Sequence, residues 1–85
     1  MISYEKLPEH IRGGMKRYIE EGLIPGDFLQ AVICNNLKLS VQRADDVNIK
    51  RMLDIVSFMY WEVPMSAWGS YEKMIEWSKK GGEGV

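Results

Sequence analysis

Apolar positions recur at helical spacing along most of this chain, and no segment of four to eight residues between turn signals alternates as a half-buried strand would. Between residues 8 and 21, Ile11, Met15, Tyr18 and Ile19 form one stripe, while Arg12, Lys16, Arg17, Glu20 and Glu21 lie largely off it. Pro8 suits a first helical turn, Glu9 complements the positive helix end, and Gly22 supplies the left-handed closure. A first helix is therefore predicted near 8–21. Gly13 and Gly14 interrupt it, each costing up to about 1 kcal/mol relative to Ala, and close packing against another helix is the expected compensation.

Pro25-Gly26 then turns the chain, and Asp27 followed by Gln30 reads as a capping box for a helix that buries Phe28, Leu29, Val32 and Ile33. Asn35-Asn36 weakens the helix, yet Leu37, Val41 and Ala44 continue its spacing, so residues 25–44 fit one bent helix or two short ones. Asp45 or Asp46 can cap the next element. There Ile49, Met52, Leu53, Val56, Met59, Tyr60 and Val63 follow the helical repeat and predict a long helix near 46–63, with Leu53 and Val56 in the core. Asp46, Lys50 and Asp54 stand four apart on its outer side, as solvated ion pairs would. Pro64 ends that helix. Ser70 can cap a last one, with Tyr71, Met74, Ile75 and Ser78 on one side and Lys79 and Lys80 at its end. The expectation is an all-α fold, a compact bundle of four or five short helices around the long one. Residues 1–80 make one domain, and 81–85 a flexible Gly-rich tail.

Composition changes this picture in one respect. A chain of 85 residues has a modest core, yet 46% of it is hydrophobic and 11% aromatic, with three Trp and six Met. Some of that surface is expected to meet a partner or a second copy, so a homo-oligomer is anticipated. Eleven Lys and Arg against twelve Asp and Glu leave no field that would draw the protein to nucleic acid or an anionic membrane. Although Arg12, Lys16 and Arg17 share the first helix, Glu9, Glu20 and Glu21 share it too, and nucleic acid is not an expected partner. Cys34, the single cysteine, excludes an internal disulfide. No apolar run approaches a membrane span, and the start Met-Ile-Ser-Tyr-Glu-Lys lacks a signal-peptide pattern, so a cytoplasmic protein is expected.

Catalytic constellations are hard to assemble from one Cys and one His. Cys34 sits in an apolar segment that suits a buried thiol, and His10 in a charged first turn open to solvent. Asp45-Asp46 adjoin at a helix start, where capping accounts for them, and no EF-hand, paired-His, phosphate-loop or dinucleotide motif occurs. No enzyme, cofactor, metal or catalytic residue is expected. Two groupings remain. Asn35, Asn36, Gln42, Arg43, Asp45, Asp46 and Asn48 gather polar groups at a helix junction, where they either hold a ligand or satisfy their own backbone. The fork of Arg43 suits a phosphate or carboxylate, or an internal pair with Asp45 or Asp46. Tyr60, Trp61, Trp68, Tyr71 and Trp77 are the second grouping, and Trp61 and Trp77 fall one or two positions off their helix stripes, where a partner could use them. The candidate partner- or ligand-binding set is Arg43, Asn35, Asp45, Asn48, Trp61, Trp68 and Trp77.

The run Pro25-Gly26-Asp27-Phe28-Leu29-Gln30-Ala31-Val32, with Asn35, Leu37, Arg43-Ala44-Asp45, Asn48, Pro64, Trp68-Gly69-Ser70 and Trp77, resembles small proteins encoded in bacteriophage and prophage genomes. The Pro-Gly-x-Phe-Leu and Trp-Gly-Ser turns carry most of the likeness, which covers roughly residues 8 to 78; where that group has Asn-Asp, this chain has Asn35-Asn36. The resemblance implies a genomic setting and no mechanism. By analogy with phage accessory proteins, the leading expectation is a protein that binds and blocks a host or defence protein. The alternative is a small-ligand binder, of a nucleotide for example, that uses Arg43 and the junction amides.

Overall fold

The computed structural model describes residues 2–83, and within them the chain is all-α, as its periodicity predicts. Six α-helices follow one another: α1 (Glu9–Glu21), α2 (Asp27–Ile33), α3 (Leu37–Arg43), α4 (Asp46–Lys50), α5 (Met52–Glu62) and α6 (Tyr71–Lys79). Short 3-10 helices at Tyr4–Lys6 and Met65–Ala67 precede α1 and α6.

The first helix forms where its pattern places it. Ile11, Met15, Tyr18 and Ile19 are all buried. Gly22 closes the helix at φ 73°, its N–H donating to the Tyr18 carbonyl. The last carbonyls of a helix have no partner inside it. Here Trp77 donates its indole Nε1 to the carbonyls of Tyr18 (3.1 Å) and Ile19 (3.2 Å), and the Glu83 N–H reaches Ile19 at 2.9 Å. Gly82 crosses Gly22 so closely that a Cβ on Gly82 would lie 2.6 Å from the Gly22 nitrogen. Residues 81–83, expected in a flexible tail, are hydrogen-bonded: Gly81 and Gly82 donate to the Ser78 and Trp77 carbonyls of α6 and Glu83 to Ile19 of α1, while 84 and 85 lie outside the described residues. Gly14 fulfils the packing expectation, since a Cβ there would meet Leu29 Cδ1 at 3.3 Å. A Cβ on Gly13 would meet the flexible end of Arg17, with Nη1 at 3.0 Å, and no other helix.

The two-helix reading holds for residues 25–44. Asn35 takes a left-handed φ of 59°, which Asn tolerates better than most residues, and Asn36 Oδ1 accepts from the Leu39 N–H at 3.1 Å to start α3. The capping box does not form: Gly26 holds the cap position, and Gln30 Nε2 donates instead to the Pro25 carbonyl at 2.8 Å. On α3 the inward residue is Ser40, whose Oγ donates to the Asn36 carbonyl, and Leu37 and Val41, which continue the helical spacing, are exposed.

The predicted long helix is broken. Asp45 caps α4 by accepting from the Asn48 N–H at 2.7 Å, but at Arg51 the backbone leaves the helical region (φ −106°, ψ 15°). Arg51 donates to the Lys6 carbonyl at 2.9 Å and pairs with Asp54 at 2.7 Å, in place of the expected Asp46–Lys50–Asp54 ladder. The core face of α5 is also corrected. Ile55, Phe58 and Met59 are buried, with Val63 beyond them, while Leu53 is 79% and Val56 40% exposed. Helix α5 is apolar around most of its circumference, so two stripes compete. The Phe58 stripe prevails because Phe58 meets Tyr4 at 5.9 Å between ring centroids and joins the cluster of Met15, Tyr18, Ile33 and Met74.

Candidate docking groove

Helix α5 ends at Val63 in extended backbone, and Pro64 starts the 3-10 helix that carries the chain back across the molecule. Tyr18 Oη donates to the Ala67 carbonyl, and the Gly69 N–H donates to the Ile33 carbonyl at 2.8 Å, so this segment is tied to α1 and α2. Gly69 sits at φ 117°, a conformation closed to residues with a side chain. Ser70 then accepts from the Lys73 N–H at 3.1 Å and opens α6. These ties leave Trp68 half-buried beside the α2–α3 junction.

The result is an open groove of about 560 Å³ lined by Asn35, Tyr60, Trp61, Met65, Trp68, Gly69 and Lys73. Tyr60 and Trp61 stack edge to face at 4.8 Å. Trp61 is 77% and Met65 82% exposed, and Tyr60 is also open to solvent. A smaller depression of about 160 Å³ shares Asn35 and Trp68 with the groove and adds Leu37, Met52 and Val56. On α5, Leu53, Val56 and Tyr60 stand three and seven apart, so they share one helix face. On its other side Trp61 lines a cleft with Lys6, Arg51, Asp54 and Glu62. There Lys6 pairs with Glu62 at 2.6 Å, and its ammonium, then the Ser3 N–H, hold the Glu62 carboxyl below the usual range. An apolar centre with a charged rim is the anatomy of a protein-binding surface.

Three of the sequence-predicted residues, Asn35, Trp61 and Trp68, meet in this groove. The other four do not join it. Arg43 is exposed, donates to the Asp27 carbonyl at 3.3 Å rather than to Asp45 or Asp46, and lines a separate cleft with Cys34 and Tyr71. Asp45 caps α4 and pairs with His10 at 2.8 Å. The Asn48 N–H first, then His10, keep its carboxyl below the ordinary value. Asn48 is 3% exposed, and its Oδ1 has no hydrogen-bond partner among the described residues. Trp77 belongs to the scaffold and not to a partner surface. It is 3% exposed, bonded to the end of α1, and covered by Lys80 Nζ at 4.2 Å from its ring. Helical period had assigned Leu53 and Val56 to the core and missed them as surface. Met65 and Lys73 carry no signal in the sequence that singles them out.

The groove offers contact area and few reactive groups. Cys34 is half-buried elsewhere, its thiol set against Met74 Sδ at 3.8 Å and pushed up by burial and then by Glu72. Among the described residues no three His, Cys, Asp or Glu side chains group as metal ligands would, and no helix is long and apolar enough to cross a membrane. Comparison of the chain with family models, curated proteins and solved structures finds no match.

Proposed function

We propose that the protein works by binding rather than catalysis, docking the outer face of α5 and the aromatic groove onto a host or defence protein, as a phage-type accessory protein. The observation that carries this reading is the exposure of Leu53, Tyr60, Trp61 and Met65 on one connected stretch of chain, where each side chain forgoes burial in its own core. Exposed apolar side chains scattered singly are ordinary, whereas several converging on one groove with a charged rim favour a partner. Trp and Tyr are the residue types that most often anchor such interfaces. The resemblance to phage and prophage proteins, borne in part by Trp68-Gly69-Ser70 at the groove, supports the setting.

The test is affinity capture from a bacterial host lysate with the parent chain and with Leu53→Glu and Tyr60→Glu. Both substitutions lie on exposed positions, so the variants keep the parent melting temperature and lose the captured protein. Capture unchanged by both, or a parent that sediments as a dimer with these residues closed against a second copy, overturns the reading.

A further inference from the structure

The aromatic groove has a hydrogen-bonding bias as well as an apolar surface. Tyr60 and Trp61 meet with their ring planes at 85°, which makes an aromatic corner, and Trp68 lines the same groove. Among the described residues the aromatic polar groups that make a hydrogen bond are those of Tyr4, Tyr18 and Trp77, so Tyr60 Oη, Trp61 Nε1 and Trp68 Nε1 make none. The Trp68 N–H is not sealed off either, because the one buried side-chain polar atom without a partner among the described residues is Asn48 Oδ1. An indole N–H can only donate. Lys73 adds an ammonium, the one charged side chain of the lining, and has no carboxylate partner among the described residues. Its Nζ lies over Gly69, 3.6 Å from where a Cβ on that residue would stand. Against these donors the lining offers few acceptors, chiefly the side-chain oxygens of Asn35 and Tyr60.

Resting on the reading that this face docks a protein, we propose that the groove takes a proline-rich segment of that partner in the polyproline II conformation, with a carboxylate side chain opposite Lys73. Such a segment has no internal hydrogen bonds and its prolines carry no N–H, so it brings carbonyl acceptors without competing donors. Its pyrrolidine rings pack against Tyr60, Trp61 and Trp68, while its carbonyls accept from the indole N–H groups and the tyrosine hydroxyl. Aromatic-lined grooves read proline-rich ligands in this way, and the preformed ligand conformation keeps the cost of ordering low. A partner helix suits the donors less well. Its backbone carbonyls are used inside the helix, so the two indole N–H groups would lose water with only side chains to replace it. A basic segment would bring a second cation against Lys73.

The experiment titrates the 15N-labelled chain with a capped oligoproline peptide ending in aspartate, with the same peptide ending in asparagine, and with a capped amphipathic helical peptide of leucine and glutamate. The indole N–H signals of Trp61 and Trp68 shift and saturate with the aspartate peptide, while that of Trp77, already bonded to α1, stays in place. The asparagine and helical peptides bind more weakly. Trp61→Phe and Tyr60→Phe, at exposed positions, keep a ring and the parent melting temperature but lose a donor, and each weakens the aspartate peptide by about threefold to tenfold. Shifts that do not saturate overturn the proposal. So does a helical or asparagine peptide that binds as well as the aspartate one, or a pair of Phe variants that bind as the parent does. If oligoproline fails while Leu53→Glu and Tyr60→Glu still abolish capture of a host protein, this proposal falls and the docking reading stands; if capture is also unchanged, both fall.

Discussion

Two tryptophans, equivalent by sequence pattern, end in opposite environments. Around Trp77, every strong feature has an internal partner: the indole N–H caps α1, Lys80 covers the ring, and Gly22 and Gly82 let the two backbones touch. Around Trp61, the ring meets Tyr60 edge to face, and Tyr60 and Met65 stand open in the same groove. The difference teaches which apolar residues hold the fold and which remain for something else. Burial coupled to hydrogen bonding marks scaffold, and exposure with a cleft beneath marks available surface.

The contrast breaks most visibly at the closed end. Trp77→Ala removes core volume and two hydrogen bonds, and thermal denaturation should show a loss of about 3–5 kcal/mol. On α5 the same comparison runs across one helix. Phe58→Ala should cost a similar amount, whereas Leu53→Ala, at 79% exposure, should stay within about 0.5 kcal/mol of the parent in chemical denaturation. A Leu53 variant as damaged as the Phe58 variant would place the core on the wrong face. Gly82→Ala forces a side chain into a left-handed position against the Gly22 nitrogen, and a loss of about 1–3 kcal/mol is expected from the backbone strain alone.

The smallest effect is electrostatic and sits at the α4 cap. Asp45 and Glu62 have carboxyls held below their ordinary values, so the stability they add is present above the unfolded value and is lost as pH falls through the folded one. The melting temperature should therefore decline below about pH 4. Asn is as good a cap as Asp, so Asp45→Asn should keep the neutral-pH stability of α4 and flatten part of that acid limb. An unchanged acid limb would show that the His10–Asp45 pair and the cap do not tune this carboxylate.

What the sequence made legible was local chemistry. Gly22, Asp45 and Ser70 act where their residue types and spacing place them, because a cap needs only its neighbours a few residues along the chain. The α1 stripe was legible because its opposite face is charged. The stripe on α5 was not, because Leu53, Val56 and Tyr60 compete with Ile55, Phe58 and Met59, and periodicity cannot choose between two apolar faces. The break at Arg51 has no Pro or Gly to announce it; it depends on contacts to Lys6 and Asp54, one of them distant in sequence. Of the candidate site, Asn35, Trp61 and Trp68 were named from residue type, but their meeting is a consequence of the turn at Pro64 and the tie from Gly69 to Ile33. The burial of Trp77 was hidden for the same reason: its partners are the carbonyls of a helix about 60 residues earlier.

The central claim is that the exposed face of α5 serves a partner and not the fold, and Trp61→Ala measures both at once. The account predicts a melting temperature within a few degrees of the parent together with a loss of about 2 kcal/mol or more in affinity for the captured protein, read by titration calorimetry. Early unfolding of Trp61→Ala, or unchanged affinity in a stable variant, would contradict it.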